Sequence, residues 1–261
     1  MLEGLWRYRS FISSMVRREF QARYLGSALG AAWSVLNPAA MIFIYTVVFG
    51  QVMRSRLPGV DDGTSYGIFL CAGLLPWTMF TETLQRCTSV FVDQGNLLKK
   101  MTFPRASLPV IVVLSSLVHF AIIFGLLLVV MLLLGRFPGA SLLGFVPLLV
   151  LQQTIAVGLG VALGVLNVFF RDVGHVVGIL VQFWFWFTPI IYPLTILPGV
   201  ARTLVAFNPM TALVDGYQGI LLFGRWPDWI MYLPHVVLAV LALIVGRRVF
   251  RRLAGEMTDF L

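Results

Sequence analysis

The chain has 261 residues, of which 59% are hydrophobic and only 11% are charged, and its formal net charge is +8. A mean hydropathy of +0.91 excludes an ordinary soluble domain, because a soluble chain of this length has too little polar surface to cover so many apolar side chains. The composition therefore predicts a protein folded in lipid, and the excess of Lys and Arg is attributed to the membrane surface rather than to a nucleic-acid partner.

Residues 2–24 carry apolar side chains at intervals of three and four residues, but they are too polar to cross a bilayer. This pattern favours a helix that lies in the membrane interface with its apolar side down. The alternative is a solvated helix that packs on a partner. The segment has no compact apolar core and no small-residue cleavage site, so it is not predicted to be a signal peptide.

Six stretches are apolar and long enough to cross roughly 30 Å of hydrocarbon, which takes about 20 residues. They cover residues 30–53, 67–91, 108–134, 142–168, 174–192 and 230–247. Pro38 interrupts the first span and Pro76 the second, and each is expected to bend its helix. In the fourth span, Ala156, Gly160 and Gly164 form a stripe of small residues that permits close approach by another helix, either of the same chain or of a second subunit.

The distribution of Lys and Arg between the loops predicts the orientation. With the N-terminus in the cytoplasm, the loops on that side carry 13 of these residues and the loops on the opposite side carry five, while Arg86 is embedded in the second span. This bias predicts a multi-pass protein of the cytoplasmic (inner) membrane with both termini in the cytoplasm.

Two connecting segments contain apolar pieces too short to span. Residues 93–105, between the second and third spans, combine helical potential with Lys99, Lys100 and Arg105. A short basic helix of this kind suits docking into a groove on a soluble partner, although it equally suits a loop that only fixes the topology. Residues 193–229 are broken by Asn208-Pro209 and are typical of short re-entrant helices, which we place at the outer mouth of a pathway.

The chain carries no recognisable catalytic, nucleotide or metal site. Lys99 and Lys100 are its only lysines, and no Gly-x-x-x-x-Gly-Lys-Ser/Thr loop is present. The three histidines lack metal-ligand spacing, and Cys71 and Cys87 are separated by about 24 Å along one predicted helix. Glu82 is the one acid that we place deep in a span, which is too few for an ion-coupled carrier. Energy for active transport is therefore expected to come from another polypeptide, and no cofactor is expected in this chain.

Residues 96–105, Asn-Leu-Leu-Lys-Lys-Met-Thr-Phe-Pro-Arg, resemble the coupling segment of ATP-binding-cassette export permeases for polysaccharides and polyol phosphates. This family includes exporters of O-antigen, capsule and teichoic acid. The similarity continues in the family's order at residues 74–77, 167–173, 188–193 and 208–210, and so covers nearly the whole chain. It implies one all-α permease domain over residues 1–261, which pairs with itself and with two copies of a separate ATPase that binds ATP and Mg.

The resemblance also implies which residues meet the ATPase. The expected coupling residues are Asn96, Lys99, Lys100, Phe103, Arg105, Arg171 and Asp172. Within this set, Arg171 either contributes to a second contact or inner gate, or only anchors the end of its helix at headgroup level.

Five consecutive aromatic residues occupy positions 183–187, near the outer end of the fifth span. Ring faces carry partial negative charge, so the C–H edges of sugars can slide over them without fixed hydrogen bonds, which suits a moving polymer. The alternative is an aromatic belt at the lipid interface. The candidate residues of the substrate path are Phe183, Trp184, Trp186, Phe187, Tyr192 and Arg86. Arg86 either meets a substrate diphosphate or forms a self-satisfied ion pair with Glu82, one helical turn away.

The resemblance therefore implies the membrane subunit of an exporter of lipid-linked polysaccharide, foremost an O-antigen on polyprenyl diphosphate. Export of teichoic acid or capsule, or less readily of a drug or other small molecule, is the alternative within the same class. An integral-membrane lipid-headgroup transferase is the alternative from another class, and it would need a polar catalytic cluster at one membrane face.

Overall fold

The computed structural model describes residues 6, 8–22, 32–44, 47, 63–100 and 103–260. Within these residues the chain is helical without any strand, which confirms the predicted all-α class. The α-helices, in chain order, are α1 (Arg9–Ala22), α2 (Trp33–Ile44), α3 (Gly63–Asp93), α4 (Gly95–Lys100), α5 (Ser107–Leu133), α6 (Phe145–Phe169), α7 (Asp172–Trp186), α8 (Gly199–Ala206), α9 (Pro209–Phe223), α10 (Leu233–Leu253) and α11 (Met257–Phe260). Short 3-10 helices cover Gly139–Gly144, Leu194–Ile196 and Trp229–Tyr232.

Four helical stretches among the described residues are long and apolar enough to cross a membrane. They are Thr64–Asp93, Ser107–Leu133, Gly139–Phe169 and Trp229–Leu253. These correspond to the second, third, fourth and sixth predicted spans, and each begins within three residues of its predicted start. The last continues six residues beyond its predicted end, because the helix carries on through a basic stretch where the hydropathy has already fallen.

The first and fifth spans stay predictions. The structure describes the first span, 30–53, only in part, as α2 and a few residues beside it. The helix of the fifth span, α7, has 15 residues and is therefore about 22 Å long. It ends at Trp186 rather than at the predicted residue 192, because Pro189 and Pro193 lack a backbone N–H and disfavour helical geometry in the residue before them.

Helix α6 lies between α3 and α10 and approaches both closely through glycine. A Cβ atom added at Gly158 would lie 2.4 Å from the carbonyl carbon of Ala242, and one added at Gly246 would lie 2.5 Å from the carbonyl oxygen of Gly158. On its other side, a Cβ atom at Gly164 would lie 2.3 Å from the carbonyl oxygen of Cys87. Gly160 and Gly164 of the small-residue stripe both face Cys87 of the same chain, which confirms the intramolecular interpretation.

The helices converge at one end of the bundle in an apolar cluster, which buries Phe91, Leu98, Leu108, Val168 and Met257. These residues come from α3, α4, α5, α6 and α11. We call this the basic end, because α4, the start of α5 and the end of α10 bring Lys99, Arg105, Arg251 and Arg252 there. The segment 187–208 lies at the opposite end, which we call the hairpin end.

The region 193–229 forms two helices, α8 and α9, which are separated at Asn208 as the sequence indicated. Helix α9 is sheltered by protein, since it packs on α3 and α6. Its Tyr217 is fully buried, and the hydroxyl donates a hydrogen bond of 2.8 Å to Oε1 of Gln152. Protein therefore covers the face of α9 that carries Tyr217, as a helix too short to span requires.

The glycine contacts of α6 lead to a prediction about stability. Replacing Gly158 with Ala should destabilise the protein by about 1–3 kcal/mol, because the new methyl group meets backbone atoms of α10 that cannot rotate away. The matched control is Gly125→Ala on α5, where an added Cβ atom has no neighbour within 4 Å. Thermal unfolding of the purified proteins in detergent compares the two, and equal midpoints for both variants would contradict the packing described here.

Candidate functional site

Within the predicted coupling segment 93–105, residues 95–100 form α4, and residues 103–105 belong to the non-helical stretch that leads into α5. Leu98 is 8% exposed and packs in the cluster at the basic end, whereas Asn96 and Lys99 on the same helix are exposed. One face of α4 thus packs against the spans, and another face is exposed. The side chain of Lys100 lies outside the described residues.

Phe103 and Arg105 follow α4 and are half-buried. The ring of Phe103 lies 5.4 Å from the ring of Phe11, so the coupling segment contacts α1 as well as the spans. The sequence pattern did not indicate this contact, because the two rings belong to segments that are far apart in the chain.

Arg171 and Asp172 lie at the junction of α6 and α7, and both are exposed at the basic end. Asn167 holds this junction in place. Its Nδ2 donates to the carbonyl oxygen of Thr88 at 3.1 Å, and its Oδ1 accepts a hydrogen bond of 2.8 Å from the backbone N–H of Gly174. One amide therefore ties the start of α7 to α3.

Arg86 bridges two carboxylates. Its Nη1 lies 3.4 Å from Glu82 on the same helix, which confirms the predicted ion pair, and its Nη2 lies 2.5 Å from Glu19 on α1. The three side chains are between 22% and 27% exposed. The sequence did not predict the ion pair between Arg86 and Glu19, because no local pattern connects two residues so far apart in the chain. This ion pair fastens α1 to α3, and it means that Arg86 would meet a substrate diphosphate only in competition with Glu19.

The aromatic run at 183–187 divides into two faces. Phe183, Trp186 and Phe187 are more than 60% exposed. Trp184 is half-buried, and its ring packs edge-on against Trp77 at 6.0 Å and against Phe80 at 5.5 Å. Five consecutive residues point all round a helix, so the sequence could not separate the two sets.

Asn208 joins the end of α7 to the start of α9. Its Oδ1 accepts hydrogen bonds from Nε1 of Trp184 at 2.8 Å and from the backbone N–H of Met210 at 3.0 Å. Its Nδ2 donates to the carbonyl oxygen of Phe187 and to Oγ1 of Thr188, both at 2.9 Å. The Asn-Pro dipeptide is thus both the N-cap of α9 and a link across the hairpin end.

Tyr192 is half-buried, and its hydroxyl donates a 2.8 Å hydrogen bond to the carbonyl oxygen of Trp186. Nearby, the hydroxyl of Tyr66 on α3 donates to the carbonyl oxygen of Ile191 at 2.6 Å. These two phenols satisfy carbonyl groups at the end of α7 and in the non-helical turn that follows it.

One face of α7 is exposed over most of its length in the described part of the chain. The large exposed apolar residues of this face recur at three- and four-residue intervals and are Val176, Ile179, Leu180, Phe183 and Trp186, with Phe187 directly after the helix. The opposite face buries Val177 and Val181. An apolar stripe of this kind requires lipid or a second protein surface to cover it.

The His, Cys, Asp and Glu side chains are scattered over the described residues. No group of three or more His, Cys, Asp or Glu residues lies close enough there to hold a metal ion. His235 donates or accepts through Nε2 at 2.9 Å from the carbonyl oxygen of Pro209, and Cys71 and Cys87 are buried and unbonded within α3.

The chain is similar to known transport proteins along almost its entire length. The model of the ABC-2 type transporter family matches residues 11–222. Over 261 residues the chain is 34% identical to the O-antigen export system permease protein RfbA of Myxococcus xanthus, covering 99% of this chain and 98% of that relative. It is 28% identical to RfbA of Klebsiella pneumoniae over 251 residues, which are 95% of this chain and 93% of the relative. It is 22% identical to the polysialic acid transport protein KpsM of Escherichia coli over 241 residues, 92% of each chain.

The two faces of the aromatic run predict different effects of the same substitution on stability. Trp184→Ala should cost about 3–5 kcal/mol of unfolding free energy, because it removes a packed ring and one of the two hydrogen bonds that Oδ1 of Asn208 accepts. The control is Trp186→Ala, which removes a ring that is 62% exposed and should cost much less. Thermal midpoints in detergent measure both, and a larger loss for Trp186→Ala would contradict the assignment of the faces.

Proposed function

The chain belongs to the ABC-2 type transporter family, and from this membership we propose that it is the membrane subunit of a polysaccharide exporter powered by a separate ABC ATPase. The observation that carries the proposal is the similarity over 99% of the chain to the O-antigen export permease of Myxococcus xanthus. The substrate is a polysaccharide linked to a lipid, most directly an O-antigen on polyprenyl diphosphate. Export of a capsular polymer is the second candidate, favoured by the similarity to the polysialic acid transport protein.

The basic end is the surface that we assign to the ATPase. There α4 exposes Asn96 and Lys99, and Arg171 and Asp172 are exposed beside it at the α6–α7 junction. Lys100, Phe103 and Arg105 complete the proposed contact. The excess of Lys and Arg at this end supports a cytoplasmic location for it and for both termini, in the inner membrane.

Force applied to α4 would reach several spans at once. Leu98 is buried in a cluster to which α3, α5 and α6 also contribute, so α4 cannot shift without repacking those helices. Packed interfaces of this kind switch between discrete arrangements rather than deform continuously. Binding and hydrolysis of ATP in the partner would bias the equilibrium between two such arrangements.

The substrate path is assigned to the uncovered face of α7, opposite the same face of a second copy. This face exposes Phe183, Trp186 and Phe187, whose rings offer sugars an apolar surface without fixed hydrogen-bond geometry. Trp184 and Tyr192 hold that surface in place through the hydrogen bonds of the hairpin end. A homodimer in which α7, together with the first span, lines one continuous channel would cover the apolar stripe that a single chain leaves open.

Reconstitution tests the function directly. The chain and its ATPase, placed together in proteoliposomes, should transfer a lipid-linked polysaccharide across the membrane in the presence of ATP and Mg. The chain without ATPase should transfer none. Transfer by the chain alone, or chemical modification of the lipid substrate in place of transfer, would overturn the proposal.

Charge reversal at the coupling surface should detach the ATPase. The triple substitution Lys99→Glu, Lys100→Glu and Arg105→Glu should lower the amount of ATPase that co-purifies by roughly tenfold, or about 1.4 kcal/mol, and should abolish polymer export. The control is Arg202→Glu with Arg225→Glu, because both arginines are exposed near the hairpin end, away from α4. Undiminished co-purification and export by the triple variant would refute the coupling role.

Shortening an exposed ring of α7 should slow export without affecting the ATPase contact. Trp186→Ala is expected to lower polymer export several-fold while the ATPase still co-purifies, because the substitution removes sugar-facing surface far from α4. Trp226→Ala serves as control, since Trp226 is similarly exposed, at 56%, but lies outside α7. Wild-type export by Trp186→Ala would leave the exposed rings with no more than a role in lipid contact.

A further inference from the structure

A large groove separates α1 from the first half of α5 near the basic end, with a volume of about 1010 Å³. On the α5 side its wall is formed by Val110, Leu114, Leu117 and Val118. Water in contact with walls so rich in apolar side chains would be unfavourable, so the groove needs a different occupant.

The groove extends from headgroup level into the hydrocarbon. Its wall on α5 runs from Val110 to Val118, a distance of about 12 Å along the helix axis. Since α5 begins at Ser107, the upper part of this wall lies next to the membrane surface and the lower part lies well below it. In a bilayer, a lipid molecule extends through both the headgroup region and the hydrocarbon.

The wall on the α1 side is amphipathic. It presents two adjacent rows with a spacing of four residues, one apolar and one polar. The apolar row consists of Ile12, Val16 and Phe20, and the polar row consists of Arg9, Ser13 and Arg17. Residues four apart lie above one another on a helix, so each row is continuous along the groove.

The polar row gives the groove a positive rim. Within the described part of the chain, Arg17 makes no hydrogen bond or ion pair, and it is exposed. Arg9 donates to the carbonyl oxygen of Trp6 at 3.3 Å, with its guanidinium carbon 5.2 Å from the ring of the same residue. No carboxylate lines the groove among the described residues, because the nearby Glu19 is directed to Arg86.

We propose that this groove binds an anionic glycerophospholipid of the surrounding bilayer, with the phosphate at Arg17 and an acyl chain along α5. Charge complementarity selects this occupant, because a positive rim above an apolar depth matches an anionic headgroup above a hydrocarbon chain. A second copy of the chain, or an apolar peptide, would fill the depth but would leave the arginine unmatched. The bound lipid completes the packing of α1, which the ion pair between Glu19 and Arg86 fastens to α3.

The first test measures lipid retained by the purified full-length chain after exchange with phosphatidylglycerol or phosphatidylcholine. Wild-type protein should retain phosphatidylglycerol in preference to phosphatidylcholine. Arg17→Gln should lower the retention of phosphatidylglycerol about fivefold, the effect expected for one cationic side chain near a membrane surface. Arg18→Gln should behave as wild type, because it removes the same charge from an adjacent exposed position that does not line the groove.

The second test fills the groove. Leu114→Trp should abolish retention of phosphatidylglycerol, whereas Leu132→Trp, at an exposed site on the other half of α5, should not. Gel filtration establishes that both variants are folded, and Arg17→Gln tests the site independently of any packing defect. Equal retention by Arg17→Gln and wild type, or no preference for phosphatidylglycerol, would overturn the proposal. A disulfide between two copies that carry Leu114→Cys would instead assign the groove to a second copy, and would overturn it as well.

Discussion

The structure depends on how closely α6 approaches α3 and α10. In lipid no hydrophobic force pushes apolar helices together, so their association rests on van der Waals packing and on a few polar bonds. Gly158, Gly164 and Gly246 let backbone atoms of neighbouring helices come into direct contact along much of α6. This contact places α3 and α10 directly against α6, and the other elements are then placed on that framework. Helix α9 lies at the hairpin end of this framework, and α4 lies at the basic end of it.

Polar side chains add the specificity that apolar packing in lipid cannot supply. Asn167 joins α6 and α7 to α3, Asn208 joins α7 to α9, and Arg86 joins α3 to α1. Each of them satisfies groups that would be costly to leave unpaired at membrane depth. They also lie at the boundaries of the surfaces proposed for function. The uncovered face of α7 is held at both of its ends by an asparagine, and the exposed face of α4 lies beside the apolar cluster that α4 shares with the spans.

The sequence predicted long, continuous apolar stretches well and their partners poorly. Four spans begin within a few residues of their predicted starts, because hydropathy reports directly on the solvent of a helix. It did not reveal the early end of α7, since apolar residues continue through Ile190 and Ile191 after the prolines have stopped the helix.

In the candidate site, too, the sequence predicted local features but not the contacts between distant elements. The residues of the coupling segment were predicted from a resemblance in sequence, and the Glu82–Arg86 pair from its spacing, which is local. The pairing of Arg86 with Glu19 and of Trp184 with Asn208 depends on how distant elements pack, and period or composition carries no information about that. The groove beside α1 is likewise a property of two helices and of the distance between them.

The four hydrogen bonds of Asn208 have a consequence for how a polymer could leave the protein. They make the last turn of α7, the bend after it and the first turn of α9 a single stiff unit, because one side chain holds all three. If the proposed outer mouth widens, this unit is expected to tilt as a whole, and in the proposed homodimer the gap should open between the two copies. A long glycan could then advance sugar by sugar past a rim that keeps its shape, with no local bonds broken and remade at each step.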